Sequence, residues 1–344
     1  MAMKKYLFLV LSFFIYAVSF AQKGTAFLQS GNLRTAFDMA KAQNKPVFLE
    51  VYAPTCHVCS AFKPTFENPQ VGAVYNRNFV SYKLDITAPE GAAFLNKQGI
   101  WIPSTPTLLF FDKDVKLMHI SVLGENFNTP QVLIDAANKA LDPKTRTSSY
   151  KASFRSGKRD ADFLIEYGYM ARVMQDTLDN INTMNIYASQ IPVAQYSNNT
   201  SFLLLQKVIM DDENPIFKYF IAHLGEYNAK YEKTLVKQTA ENIIMYSLYS
   251  SRGMRYNSAK IAQVRANLAK LGVDKKSING RVWREESTAY FREGKIQQAL
   301  AVLDSLLEPT TDKSSYTFLS NWIKARTSDK VALAKAAAYA AKGR

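Results

Sequence analysis

The sequence predicts an α/β sandwich in the first part of the chain, followed by an all-α, repeat-like helical domain. Between residues 32 and 141, short apolar runs of strand length alternate with amphipathic stretches of helical period. Beyond residue 150 the strand pattern stops and apolar residues recur at spacings of three and four. A chain of 344 residues allows two domains of ordinary size. We therefore expect a leader at 1–21, a first domain at 22–143 and a helical domain at 144–344.

Each element of the first domain has its own signal. We predict helices at residues 32–43, 60–66, 91–98 and 129–141, and strands at 47–52, 79–86, 107–112 and 117–123. The run Val47–Tyr52 is almost continuously apolar, which is typical of a strand buried on both faces. Pro130 occupies the first position of the last helix, where proline is favoured. The order strand, helix, strand, helix, hairpin, helix indicates a mixed sheet.

The N-terminus has the pattern of a secretory signal. Two lysines precede Tyr6–Phe20, a run of fifteen residues without charge, and small residues lead up to Ala21. The run is shorter than the roughly twenty residues of a bilayer span, although an uncleaved anchor remains an alternative. We predict cleavage after Ala21, a periplasmic or secreted protein, and no membrane span in the mature chain. Such compartments are oxidising.

Both cysteines of the chain lie in one short motif, Cys56-His57-Val58-Cys59. A structural zinc site usually has four ligands, and the other two histidines, His119 and His223, are far away in sequence. A disulfide that closes so short a loop constrains the unfolded chain little, so a purely structural bridge would stabilise little. We therefore favour a reacting dithiol, and we expect no metal and no cofactor.

Residues 32–141 resemble the thioredoxin fold at several family offsets besides the cysteine pair. These are the acid six residues before the first cysteine, the strand lysine near it, the helix proline five residues after the second cysteine, the cis-proline and the late glycine: Glu50, Lys83, Pro64, Pro106 and Gly124. The Asn-Lys-Pro-Val entry at residues 44–47 is similar to that of extracytoplasmic thioredoxin-like proteins. The resemblance implies a protein thiol–disulfide oxidoreductase. The motif departs from the Trp-Cys-Gly-Pro-Cys of thioredoxin, so reductant, oxidant and isomerase all remain compatible with it.

The resemblance also implies roles for the centre. Cys56 would lie at a helix N-terminus, which favours the thiolate that attacks a substrate disulfide. Cys59 would then release the mixed disulfide. Glu50 would accept the proton of Cys59, unless it faces solvent at a strand end. Lys83 is either the ion-pair partner of Glu50 or a surface lysine that extends its charge into water.

Three further residues are candidates for substrate binding. His57 either stabilises the neighbouring thiolate or is an exposed loop residue. Thr105 resembles the residue before the cis-proline in disulfide isomerases. Pro106, as a cis-proline, would leave the preceding backbone open to an extended substrate segment.

The helical half is predicted from two apolar stripes. They are Phe163, Tyr167, Met170 and Met174, and Ile296, Leu300, Leu303 and Leu307. We expect eight to ten helices, interrupted at Pro215 and Pro309. One stretch resembles a tetratricopeptide unit at Trp283, Tyr290, Gly294 and Ala299, with Leu306 in place of a later small residue. A single imperfect unit favours a repeat-like bundle over a repeat array.

The charge is concentrated in the helical half. Eleven Lys and Arg nearly balance ten Asp and Glu in residues 22–143, and the leader has two lysines, so residues 144–344 carry +11 of the net +14. This half presents either a solvated lysine-rich surface or a site for an acidic partner; no nucleic-acid motif is present. The leading hypothesis is an oxidoreductase whose helical domain binds protein thiols, protein disulfides or a redox partner. The alternative is a helical adaptor or holdase with a vestigial dithiol. The oligomeric state is left open.

Overall fold

The computed structural model describes residues 24–124, 128–308 and 311–344. The chain forms two compact units, the first ending at Gln175 and the second beginning at Asp176. The predicted leader at 1–21 lies outside the described residues. Within those residues, no helix combines the length and the apolar character needed to cross a membrane.

A four-stranded mixed sheet organises the first unit. Its strands are β1 (Val47–Tyr52), β2 (Val80–Asp85), β3 (Thr107–Phe111) and β4 (Leu117–Val122), in the order β2-β1-β3-β4. β1 is parallel to β2 and antiparallel to β3, and β3 and β4 form an antiparallel hairpin. The predicted mixed sheet and its hairpin are confirmed.

Five helices flank this sheet. They are α1 (Leu33–Gln43), α2 (His57–Phe66), α3 (Pro69–Asn78), α4 (Pro89–Gln98) and α5 (Pro130–Leu141). The helix α3 was not predicted from the sequence, although Asn68 caps it and Pro69 occupies its first turn. The helix expected from residue 60 begins at His57 instead, which makes Cys56 its N-cap.

The two faces of the sheet bury different aromatic clusters. On β3, Phe110 packs against Phe48 with ring centroids 5.2 Å apart, in a core that also receives side chains from α2, α3 and α5. The next residue, Phe111, points to the opposite face and contacts Phe37 of α1 and Phe94 of α4. The sheet is therefore covered by helices on both sides, and the predicted α/β sandwich is confirmed.

The chain after α5 returns to the edge strand β4. The Thr147 amide donates a hydrogen bond to His119 Nδ1 at 3.1 Å, and the Ile120 amide donates to Thr147 Oγ1 at 3.1 Å. A covered edge cannot pair with another chain. The helices α6 (Tyr150–Arg155) and α7 (Ala161–Val173) follow. The first compact unit thus extends past residue 143, and the domain boundary drawn there stays a prediction.

The second unit is helical throughout its described residues. Its helices are α8 (Thr177–Gln190), α9 (Asn199–Lys207), α10 (Pro215–Ala222), α11 (Leu224–Lys230), α12 (Lys233–Leu248), α13 (Ser258–Lys270), α14 (Lys275–Arg292), α15 (Ile296–Asp304), α16 (Lys313–Lys324) and α17 (Lys330–Lys342). The predicted all-α region is confirmed. The expected number of eight to ten helices is wrong, because twelve α-helices follow residue 143 in the described segments. Short helices such as α10 and α11, which meet at His223, share one apolar pattern and cannot be separated by it.

The predicted stripe on α15 lies in the core of the second unit. Leu300 and Leu303 are buried there with Leu319 and Ile323 of α16. Gly294 has a φ of 70° in the turn between α14 and α15, a conformation that glycine adopts without a steric cost. The segment that resembles a tetratricopeptide unit is therefore a helix–turn–helix pair. Pro215 begins α10 as an interruption should, while Pro309 lies outside the described residues.

We predict that acid destabilises the first unit through His119. This side chain is 2% exposed, and burial lowers its pKa to about 4, with Glu166 raising and Lys139 lowering it further. Between pH 6.5 and 4 the unfolded chain takes up a proton that the folded chain does not, so stability falls as pH falls, by up to about 1.4 kcal/mol per pH unit. Urea unfolding at pH 7 and pH 5 measures the effect.

The matched substitutions are His119→Asn, which can retain an acceptor near Nδ1, and His57→Asn at an exposed position of the same unit. His119→Asn should flatten the pH dependence and His57→Asn should leave it unchanged. Equal slopes in all three proteins would assign the acid sensitivity to other groups.

Candidate functional site

The candidate site lies at one end of the strands of the sheet. β1 ends at Tyr52 and the chain reaches Cys56 four residues later, while β3 begins at Thr107, directly opposite Val51. Because these strands are antiparallel, the carboxyl end of β1 and the amino end of β3 lie at the same end of the sheet. The structure thereby brings the cysteine loop and Pro106 to the same end of the sheet.

The two cysteines form a disulfide and differ in their surroundings. Their Cα atoms are 5.3 Å apart. Cys56 is the half-buried N-cap of α2, and its Sγ accepts a hydrogen bond from the Cys59 amide at 3.0 Å. Cys59 is only 8% exposed. An anionic Cys56 sulfur would be stabilised at this place by unpaired amides and the helix dipole, whereas Cys59 is shielded.

His57 occupies the first position of α2 and is exposed. It lies beside Cys56 in sequence and is open to water. Its electrostatic role stays a prediction.

Glu50 is buried beneath the same helix. It is 2% exposed and lies opposite Leu108 of β3, which belongs to the core on the α2 side of the sheet. Side chains directly opposite each other in an antiparallel pair point to the same face, so Glu50 faces the layer that contains Cys59. The alternative in which Glu50 faces solvent is wrong.

Lys83 pairs with this carboxylate. The parallel register places Lys83 beside Glu50, and its Nζ lies 3.0 Å from Glu50 Oε2. The lysine is 41% exposed, and its ammonium group also lies 4.7 Å from the ring centroid of Phe27. Burial raises the pKa of Glu50, and the charge of Lys83 opposes that rise. The result is a carboxyl group held in the apolar layer between the sheet and α2.

The Thr105–Pro106 peptide bond is cis, as predicted. Pro106 is buried and its carbonyl accepts a hydrogen bond from the Leu123 amide at 3.2 Å, while Thr105 is half-buried. Gly124 follows at the end of β4, and Pro64 lies inside α2. The substrate-binding roles of Thr105 and Pro106 stay predictions.

Three residues of α7, which were not predicted from the sequence, contact the segment that leads into β3. The Val173 carbonyl accepts a hydrogen bond from the Trp101 amide at 2.8 Å, and the Tyr169 hydroxyl lies 3.4 Å from Thr107 Oγ1. The Arg172 guanidinium lies 5.3 Å from the Trp101 ring centroid. The stripe singled out in the sequence, which includes the buried Phe163 and Tyr167, does not contain them, and no local pattern links α7 to a loop more than sixty residues earlier.

The sequence comparisons match the region around this site. Residues 27–90 match the family model described as "Thioredox_DsbH: Protein of unknown function, DUF255". Spermatogenesis-associated protein 20 of Rattus norvegicus is 47% identical over 51 residues, which cover 14% of this chain and 6% of that protein. The Homo sapiens protein of the same name is 43% identical over 51 residues, with the same coverage of 14% and 6%. The chain thus spans only a small part of the length of the curated relatives it matches.

Two solved structures match about a third of the chain. A candidate disulphide-isomerase from Bacteroides thetaiotaomicron, solved in solution, is 25% identical, with a TM-score of 0.29; the match covers 33% of this chain and 90% of that chain. The crystal structure of a disulphide isomerase from Xylella fastidiosa Temecula1 is 16% identical, with a TM-score of 0.24, and covers 35% and 90%.

We predict that Cys56 reacts before Cys59 when the reduced protein is alkylated. Cys56 is half-buried at the head of α2 and its sulfur accepts an amide hydrogen bond, so its thiolate fraction near pH 6.5 should exceed that of a free cysteine with a pKa of about 8.5. We expect a rate advantage of about tenfold or more over Cys59, measured by limited iodoacetamide labelling and peptide mass spectrometry.

The single variants serve as controls. Cys59→Ser should alkylate as fast as the reduced wild type, and Cys56→Ser should alkylate slowly. Preferential labelling of Cys59 in the reduced wild type would reverse the two roles.

Proposed function

We propose, on the premise that the N-terminal domain belongs to the thioredoxin-fold family, that this protein is a periplasmic or secreted thiol–disulfide oxidoreductase that acts on protein substrates. The fold and the Cys56–Cys59 disulfide support an oxidoreductase-like role. The observation that carries the proposal is the asymmetry of the pair: Cys56 caps α2 in a half-buried position, while Cys59 is buried.

The proposed reaction is two exchanges of sulfur–sulfur bonds. The Cys56 thiolate attacks one sulfur of a substrate disulfide, so that a mixed disulfide forms and the other substrate sulfur leaves as a thiolate. Cys59 then loses its proton and attacks the Cys56 sulfur. The Cys56–Cys59 bond forms, the substrate leaves as a dithiol, and two electrons have passed from the protein to the substrate. The same steps run in reverse when the protein oxidises a substrate.

Glu50 is the proposed proton acceptor in the second exchange. Its raised pKa, caused by burial, brings it closer to that of a thiol, and a closer match makes proton transfer more favourable. The charge of Lys83 opposes this rise. Burying a carboxylate lowers the stability of the fold. Buried ionisable groups with shifted pKa values are therefore often found at functional sites.

Insulin reduction and mixed-disulfide trapping test the proposed activity against the adaptor or holdase alternative. The wild-type protein, reduced by dithiothreitol, should accelerate insulin reduction, and Cys59→Ser should accumulate mixed disulfides with protein substrates. The double variant Cys56→Ser/Cys59→Ser should do neither. An adaptor or holdase would bind unfolded proteins equally well with or without the cysteines and would not accelerate insulin reduction.

We predict that Glu50→Gln leaves the first exchange intact and slows release of the mixed disulfide. Only the second exchange requires deprotonation of Cys59, and removal of a proton acceptor typically costs about 10²-fold or more. Stopped-flow mixing with a peptide disulfide separates formation from release of the mixed disulfide. The isosteric change also removes a buried charge.

Glu67→Gln is the matched control, because Glu67 ends the same helix and is exposed. It should behave as the wild type in both phases. Release at the wild-type rate in Glu50→Gln, from pH 6 to pH 8, would exclude Glu50 as the proton acceptor.

A cluster of arginine and aromatic side chains in the second unit favours binding of an acidic partner. The guanidinium carbon of Arg326 lies 3.1 Å from the Trp322 ring centroid, and that of Arg284 lies 5.9 Å from it. Burial and the nearby charge of Arg284 lower the pKa of Arg326. Beside them, Phe318 is 47% exposed. Two cations that share one indole repel each other, so a carboxylate would relieve the repulsion while an apolar side chain covers Phe318. We propose that this surface binds an acidic, apolar segment of a client or redox partner.

We predict that Arg284→Glu weakens binding of a glutamate-rich peptide that contains one phenylalanine, by about fivefold or more, because one favourable charge becomes repulsive. Fluorescence anisotropy of the labelled peptide measures the change. Raising the salt concentration should weaken the wild-type complex, since the screening length shortens from about 8 Å at physiological strength.

Arg255→Glu alters the net charge equally at an exposed position elsewhere in the same unit and should have little effect. An equal loss of peptide affinity in the two variants would mean that net charge alone, and not this surface, determines binding. Equal binding of a lysine-rich peptide would exclude an acidic partner.

A further inference from the structure

The loop that precedes β3 is held by α7, a helix outside the predicted sandwich. Residues 101–106 contain no helix or strand of their own, and they end at the same edge of the sheet as the cysteine loop. A loop without internal regular structure depends on outside contacts for a single conformation.

Those contacts come from one face of α7. Tyr169, Arg172 and Val173 are spaced by three and four residues and therefore share a face of the helix. The Val173 carbonyl holds the first residue of the loop through the Trp101 amide at 2.8 Å. The Arg172 guanidinium lies 5.3 Å from the Trp101 ring centroid, within the range of a cation–π interaction.

The far end of the loop has a second anchor. Thr107 Oγ1 donates a hydrogen bond to the Ser104 carbonyl at 2.7 Å, and the Tyr169 hydroxyl lies 3.4 Å from the same Oγ1. Burial raises the pKa of Tyr169 to about 12, so the hydroxyl keeps its proton at neutral pH. One helix thus contacts the loop at both ends.

The position of this loop matters for large substrates in particular. Cys59 is buried and Cys56 is half-buried, so a disulfide reaches the Cys56 sulfur only over the rim of the site. A small disulfide needs little space beyond its two sulfurs. A disulfide within a protein brings flanking chain with it, which must lie against the neighbouring loops.

We propose that α7 positions the loop of residues 101–106 as a contact surface for protein disulfides. Tyr169 and Arg172 are the positioning residues, and Trp101 touches the substrate. This inference rests on the proposed oxidoreductase function and adds the residues that favour protein disulfides over small ones. It gives the residues after 143 a part in the site itself.

The test compares insulin with 2-hydroxyethyl disulfide as substrates of the full chain. Tyr169→Phe removes one hydroxyl, and Trp101→Ala removes the half-buried indole at the start of the loop. Each should lower kcat/KM for insulin by about fivefold, as expected for loss of one such contact, mainly through KM. Turnover of 2-hydroxyethyl disulfide should stay within about twofold of wild type, and so should the equilibrium of the cysteine pair with glutathione.

Two further variants separate positioning from general damage. Tyr150→Phe removes another tyrosine hydroxyl that contacts α7, through Glu166, but not at the loop, and should leave both substrates unaffected. Trp101→Phe keeps an aromatic ring for Arg172 and should restore most of the insulin activity that Trp101→Ala loses.

The kinetics with the two substrates distinguish failure of this inference from failure of the proposed function. Unchanged insulin kinetics in Tyr169→Phe and Trp101→Ala, or equal losses for both substrates, would overturn this inference and leave the proposed function standing. A wild-type protein that turns over neither disulfide would overturn the proposed function and this inference with it.

Discussion

The antiparallel pairing of β1 with β3 is the contact on which the site depends. It places Val51 opposite Thr107, and so brings the loop that leads to Cys56 to the same edge as Pro106. The same register places Glu50 opposite Leu108, on the face covered by α2. A shift of one residue would turn Glu50 to the other face. The aromatic stack of Phe48 and Phe110 on this strand pair opposes such a shift, because it would move both rings out of the core.

The chemistry at this edge follows from unequal exposure of similar groups. The N-terminus of α2 offers an amide hydrogen bond to the Cys56 sulfur, while Cys59, in the first turn of the same helix, is buried. On the same side of the sheet, Glu50 has Lys83 as an ion-pair partner, and the Lys83 side chain is 41% exposed. A fully buried pair would pay the desolvation of two ions, whereas here one charge remains in contact with water. This arrangement keeps a carboxyl group in the apolar layer on the α2 side of the sheet at a moderate cost in stability.

The segment after α5 serves the first unit twice. Thr147 covers the edge strand β4 through His119 and the Ile120 amide, so the sheet has no free edge there. Further along, α7 reaches the loop beside the dithiol. Both contacts join residues far apart in sequence. The second unit has a different character, with repeat-like packing of α14–α16 and an exposed surface of arginine and aromatic rings.

The sequence by itself determined the strands, most flanking helices and the position of the cysteine pair, because these depend on local pattern. A continuous apolar run predicts β1, and the resemblance to the thioredoxin fold singled out Glu50 and Pro106. The depth of Glu50 was left open between two alternatives, since only the register with Leu108 and Lys83 buries it. The contact of Tyr169 with this site could not be predicted, because its partner Thr107 lies 62 residues away. No periodicity in the sequence connects a helix to a distant loop. Tertiary structure alone decided which helices reach the site, because burial and long-range contacts depend on how the elements pack.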